Sequence, residues 1–206
     1  MLETDRAEEV LEETDMAFLF AQKYHSAMKN VGPVRKEMGE RTIFNILGPL
    51  TNPANASHQL LGVYDKELVE KLAEVLANLG VTRGMSVCGS DGLDEITVTG
   101  PTYCCEIKDG ELTSYEIIPE QFGLSTYPLA ELVGGTPEEN AQITKDILSG
   151  TLKGAKRDVV LMNAGIGIYL GSENLTMEEG IKKAEELINS GEAYEKMEEF
   201  VKATQQ

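Results

Sequence analysis

The segment from residue 23 to residue 41 concentrates positive charge in an otherwise acidic chain. It holds two acidic residues and five basic ones, namely Lys23, Lys29, Arg35, Lys36 and Arg41. Local charge decides which ligands are concentrated at a surface. A segment of net charge +3 in a chain of net charge −17 is therefore a candidate anion-binding site. The alternative interpretation is a helix whose basic face is only solvated.

A second candidate for chemistry is the adjacent acidic pair Asp94 and Glu95, in the string GSDGLDEIT at residues 89–97. Gly89 and Gly92 allow the chain to bend after a predicted strand. The pair is thus expected at the carboxyl end of that strand, where ligands of open α/β sheets bind. Adjacent carboxylates on a turn can bind Mg²⁺, which prefers oxygen ligands. The alternative is an ordinary acidic surface loop, because such pairs are common there.

Several catalytic motifs are missing from the sequence. It contains neither G-x-S-x-G nor H-E-x-x-H, and its two histidines are His25 and His58. A Ser-His-Asp hydrolase and a histidine-rich zinc enzyme are therefore not indicated. The string NAGIGIYL at residues 163–170 lacks the spacing and the lysine of a phosphate-binding loop. Its small residues predict close helix packing instead.

The charge balance limits the possible partners. The 206 residues include 18 basic and 35 acidic ones, and 41% are hydrophobic, which is ordinary for a globular core. Nucleic-acid binding needs a surplus of Lys and Arg, so we expect no nucleic-acid partner and no adhesion to an anionic membrane. A polyanionic ligand must be held by a local basic patch or through metal ions.

The cysteines and the apolar runs indicate a cytoplasmic protein. Cys88, Cys104 and Cys105 are an odd set without a C-x-x-C spacing, so we interpret them as buried, reduced side chains. No apolar run approaches the roughly 20 residues that span a bilayer, and the acidic first residues are unlike a secretory leader.

Alternating helical and strand patterns predict a single α/β domain over residues 1–206. We expect a mixed, mainly parallel sheet flanked by helices, with a helical C-terminal third. Helices are predicted at 4–13, 26–38, 42–50, 66–79, 136–148, 176–189 and 192–203, strands at 59–64, 85–89, 102–108 and 111–118. The predicted helix caps are Thr4 or Asp5, Asp65, Thr136 and Thr176, the last two in capping boxes with Glu139 and Glu179. The strand–helix–strand order of residues 59–89 predicts a parallel pair, and Asp109-Gly110 predicts a hairpin turn between the last two strands. Residues 156–170 fit a strand or a buried helix equally well by pattern alone.

Residues 18–54, FLFAQKYHSAMKNVGPVRKEMGERTIFNILGPLTNPA, and the string GSDGLDEIT together resemble the anthranilate phosphoribosyltransferases. The resemblance continues to about residue 203. It implies the C-terminal α/β portion of a Mg²⁺-dependent enzyme of tryptophan biosynthesis. That family transfers phosphoribose from phosphoribosyl pyrophosphate to the amine of anthranilate, and pyrophosphate leaves bound to magnesium.

The resemblance implies roles for residues on the acceptor side. Arg35 is expected to contact the anthranilate carboxylate, helped by His25, because a guanidinium pairs with a planar carboxylate through two parallel hydrogen bonds. Met28, Gly48 and Pro49 are expected to line the channel of the aromatic acceptor.

On the diphosphate side, the resemblance implies that Asp94 and Glu95 hold a magnesium ion. Cleavage of the ribosyl–pyrophosphate bond builds positive charge on the sugar, as in glycosyl transfer. No residue is expected to act as a strong general base, because an aromatic amine is neutral at pH 7.

The sequence departs from the family in one major respect. The family's GTGGD-like and KHGN-like strings precede the segment that is found here, and neither occurs in this sequence. We also expect the family's N-terminal helical domain, which forms its homodimer, to be absent, so the oligomeric state stays open. Residues 1–206 alone are then expected to show little transferase activity and to expose apolar surface.

Two other functions stay open. The first is a related phosphoribosyltransferase or a nucleoside-phosphorylase-like homologue with another acceptor. The second is a non-catalytic binding or assembly module. Arg35 with His25 favours an acidic aromatic acceptor over a nucleobase.

Overall fold

The structure is a computed structural model that describes residues 2–25, 32, 37–39 and 44–205. The helices are α1 (Thr4–Thr14), α2 (Ala21–Tyr24), α3 (Phe44–Leu50), α4 (Lys66–Asn78), α5 (Pro137–Leu148), α6 (Ala155–Leu170), α7 (Met177–Ser190) and α8 (Glu192–Ala203). The strands are β1 (His58–Gly62), β2 (Arg83–Gly89), β3 (Thr102–Lys108) and β4 (Glu111–Ile117). The α/β class and the helical C-terminal third are confirmed.

The four strands form one mixed sheet in the order β1-β2-β3-β4. β1 and β2 are parallel, as the predicted strand–helix–strand order requires, whereas β2–β3 and β3–β4 are antiparallel. The expectation of a mainly parallel sheet is therefore wrong for the described residues. The β3–β4 hairpin turns at Asp109 and Gly110, whose φ angles of 53° and 83° fit the turn that was predicted there.

Helices cover both faces of this sheet. α6 packs on the face that carries Met85, Val87 and Cys104, and together they form the main hydrophobic core. On the other face α4 packs against β2 and β3. Cys104 and Cys105 are adjacent in β3 and both buried, as are all three free thiols of the protein. The predicted burial of the cysteines is confirmed.

Local capping signals set the beginnings of three helices where the sequence predicts them. The Asp65 carboxylate accepts a hydrogen bond from the Glu67 amide at the start of α4. Thr136 precedes α5 and Thr176 precedes α7, and both form the predicted capping boxes. α1 differs, because its N-cap is Glu3, without a side-chain cap, rather than Thr4 or Asp5.

Residues 155–170 are helical, and the resulting helix α6 lies very close to α7. A Cβ atom added at Gly165 would lie 2.4 Å from the Cα of Ile181, and one at Gly180 would lie 2.3 Å from the Gly165 carbonyl oxygen. Glycine at these two positions therefore allows the backbones of α6 and α7 to approach. The predicted close helix packing is confirmed at Gly165, whereas Gly167 faces open space.

The C-terminal half of α6 is attached to the sheet through a buried carboxylate. Glu106 of β3 accepts a hydrogen bond from the Tyr169 hydroxyl at 2.6 Å and another from the Tyr115 hydroxyl at 2.7 Å. The Arg83 guanidinium lies over the Tyr169 ring, 4.7 Å from its centroid. These contacts satisfy a carboxylate that would otherwise be costly to bury.

The chain divides into two compact units, residues 55–192 and the remainder, residues 1–54 with 193–206. Within the smaller unit, Arg6 donates a hydrogen bond to the Ala203 carbonyl at 2.8 Å, and Lys196 donates one to the Thr14 carbonyl at 3.2 Å. Phe18 of this unit is 68% exposed. That residues 1–206 fold as a single domain stays a prediction.

None of the helices in the described part of the chain combines the length and the apolar character that crossing a membrane requires.

Candidate functional site

The loop between β2 and β3, residues 90–101, carries Asp94 and Glu95 and is here called the carboxylate loop. The Ser90 amide donates a hydrogen bond to the Pro101 carbonyl at 2.9 Å, which closes the loop at its base. Asp94 and Glu95, here called the carboxylate pair, are both exposed. The pair lies beyond the carboxyl end of β2, as the sequence predicts.

Asp91 gives the carboxylate loop its internal order. Its Oδ2 accepts hydrogen bonds from the hydroxyls of Thr97 and Thr99, both at 2.6 Å, and its Oδ1 accepts one from the Leu93 amide at 3.0 Å. Partial burial acts to raise the pKa of Asp91, but these hydrogen bonds outweigh it and the pKa is lowered. Asp91 is therefore a structural acceptor whose lone pairs are largely used within the loop.

The part of the loop that follows the carboxylate pair is buried. Ile96 and Val98 are fully buried and pack against Met162 and Ile166 of α6. The Asn163 side chain completes this attachment, because its Oδ1 accepts from the Ile96 amide at 3.0 Å and its Nδ2 donates to the Ile96 carbonyl at 2.7 Å. The pair thus protrudes between an ordered turn and a buried segment.

The backbone of Asp94, the first residue of the pair, is held close to β1. A Cβ atom at Gly62, the last residue of β1, would lie 1.5 Å from the carbonyl oxygen of Asp94. Only glycine allows the strand and the loop to approach so closely. The carboxyl ends of the parallel strands β1 and β2 therefore both contribute to the position of the pair.

The electrostatics of the pair favour a cation. Desolvation raises the pKa of Glu95, and the negative charges of Asp94 and Asp91 raise it further. A bound cation would offset this repulsion. Across the described residues, no three His, Cys, Asp or Glu side chains form a protein-only metal site. Two exposed carboxylates fit Mg²⁺, which usually keeps several waters and binds substrate phosphates.

His25 directly follows α2 and lies beside the C-terminal end of α3 in the smaller unit. Its Nε2 is 3.1 Å from the Thr51 hydroxyl, which also lies 3.1 Å from the Gly48 carbonyl oxygen. Thr51 therefore joins His25 to the Gly48–Pro49 turn of α3. Three of the five predicted acceptor-side residues are brought together in this way.

The two remaining acceptor-side residues, Arg35 and Met28, lie outside the described residues, as do Lys29, Lys36 and Arg41 of the basic segment. Lys23 of that segment pairs with Glu3. The anion-binding role of the segment stays a prediction.

The structure adds three residues that the sequence analysis did not single out. Asp91 lies three residues before the pair in the sequence, but its role depends on the hydroxyls of Thr97 and Thr99, which fold back onto it. Asn163 lies in a segment whose small residues predict only helix packing, and its partner Ile96 is 67 positions away in the chain. Thr51 directly follows the predicted helix 42–50, and nothing in its local sequence indicates a contact with His25.

The fold and the site define a class of protein that comparison with known sequences identifies. A family model described as "Glycosyl transferase family, a/b domain" matches residues 1–194, and the chain belongs to that family.

Within this family the similarity to anthranilate phosphoribosyltransferases, expected from the sequence, is confirmed. The enzyme of that name from Endomicrobium trichonymphae is 52% identical over 204 residues, which are 99% of this chain and 60% of the relative. The chain therefore spans about 60% of the length of this relative.

Solved structures agree with the sequence relatives. The crystal structure of the Thermus thermophilus anthranilate phosphoribosyltransferase matches with a TM-score of 0.90 and 42% identity, over 98% of this chain and 59% of that one. The Saccharomyces cerevisiae enzyme in complex with PRPP (phosphoribosyl pyrophosphate) and Mg matches with a TM-score of 0.89 and 33% identity, over 98% and 58%.

Proposed function

We propose that this chain takes part in the transfer of phosphoribose from phosphoribosyl pyrophosphate to the amine of anthranilate, with Mg²⁺ as cofactor. The observation that carries the proposal is 52% identity to an anthranilate phosphoribosyltransferase over 99% of the chain. Support for the metal comes from the yeast relative that was solved with PRPP and Mg. It also comes from the exposed carboxylate pair beyond the carboxyl end of β2.

On the diphosphate side, Asp94 and Glu95 would hold the magnesium ion together with phosphate oxygens and water. When bound there, Mg²⁺ neutralises the negative charge of the departing pyrophosphate. The protein's own contribution is a pair of carboxylates that hydrogen bonds and packing hold in place. This rigidity favours a fixed position of the bound diphosphate.

On the acceptor side, Arg35 would bind the carboxylate of anthranilate through a bidentate pair, and Met28, Gly48 and Pro49 would contact its ring. His25 would assist, and its hydrogen-bonding position against Thr51 limits the ring's freedom to rotate. No residue is required to remove a proton before attack, because the aromatic amine is already neutral. Arg35 also favours an acidic aromatic acceptor over a nucleobase.

We further propose a cytoplasmic location, which is supported by three free, buried thiols. The homodimer of the family is a proposal for this chain as well. Its test is the molecular mass in solution, measured by light scattering.

Calorimetry tests acceptor binding and diphosphate binding separately. Anthranilate, phosphoribosyl pyrophosphate and Mg²⁺ are titrated into the unsubstituted chain and into Arg35→Ala, Arg35→Lys and Glu95→Gln. Removal of a residue that forms a bidentate pair with a carboxylate lowers the affinity for the ligand by about 10- to 100-fold. We expect a loss of this size in the affinity of Arg35→Ala for anthranilate. Arg35→Lys should restore little of it, because lysine lacks the fork geometry.

Glu95→Gln should weaken Mg²⁺-dependent diphosphate binding and leave anthranilate binding unchanged. Equal losses of both ligands in Arg35→Ala would favour a homologue with another acceptor. If neither ligand binds the unsubstituted chain, the proposed function is wrong for residues 1–206. Steady-state turnover near that of a full-length relative would contradict the expectation of low activity.

A further inference from the structure

The side chain of Asn163 makes an unusual contact for a residue in the middle of a helix. Its amide binds both backbone groups of Ile96, the residue that directly follows the carboxylate pair. Its Nδ2 also donates to the Val159 carbonyl of its own helix at 2.9 Å. Both N–H groups of the amide are thus used, and this fixes the rotamer of Asn163 as well as its partner.

This contact determines how the peptide group between Glu95 and Ile96 is oriented. A two-point hydrogen bond to one residue prevents rotation about that residue's backbone, which a single bond would allow. The Glu95 side chain leaves the chain one residue before this fixed point. Its carboxylate position therefore depends on α6, although no side-chain atom of Glu95 is bonded to that helix.

The other contacts of the loop do not replace this one. Asp91 orders the turn before the pair, and Gly62 limits Asp94, but neither bonds to the Ile96 backbone. Burial of Ile96 holds its side chain in the core, and the Thr97 amide, which shares a peptide group with the Ile96 carbonyl, donates to the Thr102 hydroxyl at 3.0 Å. The peptide group between Glu95 and Ile96, which directly follows the Glu95 side chain, is held through the Asn163 Oδ1. Loss of the Asn163 amide would also leave a buried N–H without its partner.

We infer that Asn163 is a positioning residue for the carboxylate pair, so that the cation affinity of Asp94 and Glu95 depends on the Asn163–Ile96 hydrogen bonds. The inference rests on the proposed metal role of the pair. Removal of a group that orients a metal ligand typically lowers the affinity for the metal by about 10- to 100-fold. We expect substitution of Asn163 to lower the cation affinity of the pair by an amount in that range.

The test uses Mn²⁺ as a paramagnetic probe of the full 206-residue chain, whose mass of 22.5 kDa suits amide NMR. The variants are Asn163→Leu and Asn163→Ala, which are neutral and leave the charge around the pair unchanged. The matched control is Tyr169→Phe, which removes a 2.6 Å hydrogen bond between the same helix and β3, away from the loop. All are compared well below their unfolding temperatures.

Broadening of the Glu95 and Ile96 amide signals reports Mn²⁺ bound at the pair, and the Mn²⁺ concentration at half effect gives the affinity. We expect both Asn163 variants to bind about 10-fold more weakly, and Tyr169→Phe to bind as the unsubstituted chain does. Amide exchange at Ile96 should also accelerate in the Asn163 variants only.

A double-variant cycle separates positioning from general damage. When Glu95→Gln has removed one ligand, adding Asn163→Leu should weaken Mn²⁺ binding much less than it does alone. Equal affinity in the unsubstituted chain and both Asn163 variants, or equal losses in Tyr169→Phe, would overturn the inference. No broadening at the pair in the unsubstituted chain would instead refute the proposed metal site, and the inference with it.

Discussion

Gly165 and Gly167 lie on the same helix, two residues apart, and alanine should have opposite effects at the two positions. A methyl group at Gly165 would overlap the α7 backbone, at 2.4 Å from the Cα and 2.7 Å from the amide nitrogen of Ile181. A methyl group at Gly167 would point into open space. Both substitutions gain the same helix propensity, so their difference isolates the cost of separating α6 from α7.

The magnitudes follow from these two environments. Replacing Gly by Ala at a solvent-exposed position within a helix raises the free energy of unfolding by about 0.5–1 kcal/mol. We expect this gain for Gly167→Ala. Overpacking typically costs about 1–3 kcal/mol, and here the obstacle is backbone, which cannot change rotamer. After the propensity gain, Gly165→Ala should destabilise by about 2 kcal/mol, which lowers the melting temperature by about 4–8 °C.

Urea unfolding of both variants and of the unsubstituted protein measures these free energies. The slope of the unfolding free energy against urea should stay constant, since neither change alters the surface exposed on unfolding. Shifts of the same sign in both variants would refute the argument, and so would a stability of Gly165→Ala within error of the unsubstituted protein.

Three further predictions concern the loop and the domain organisation. Because the pKa of Asp91 is lowered in the folded protein, its stabilising contribution is fully present above the unfolded-state value of about 3.9 and is lost as the pH falls through the folded-state pKa. Unfolding free energies between about pH 2 and pH 6 should therefore show an acid-induced loss that is smaller in Asp91→Asn. Gly62→Ala should displace the Asp94 backbone and weaken Mn²⁺ binding at the pair; unchanged affinity would contradict the close approach. If residues 1–206 fold as one domain, calorimetry should show a single transition with equal calorimetric and van't Hoff enthalpies, whereas two resolved transitions would separate the units.

The elements that the sequence predicts well are those set by short-range chemistry. The capping boxes at Thr136 and Thr176 and the Asp109–Gly110 turn each involve residues within a few positions, and each forms as expected. The helical periodicity of residues 66–79 likewise gives α4. In each case the residues that cause the structure are neighbours in the chain.

The expectations that depend on distant contacts are less reliable. The direction of β3 depends on the strand with which it pairs. It pairs antiparallel with β2, so the prediction of a mainly parallel sheet was wrong. The pattern of residues 156–170 did not decide between strand and helix, and the glycine contact with α7 suits only a helix. The position of the carboxylate pair was predicted, but its attachment through Asn163 was not, because no local pattern joins residues 96 and 163.

The reactivity of the three buried thiols can report how often the strands of the sheet separate. Burial, and to a smaller extent the negative charge of the nearby Glu106, raises the pKa of Cys104 to about 12. Burial also raises the pKa of Cys88 and of Cys105. Only a thiolate reacts readily with an alkylating reagent. Alkylation of the native protein therefore requires β2 or β3 to separate from its neighbours. The rate of alkylation then measures strand separation without an introduced label.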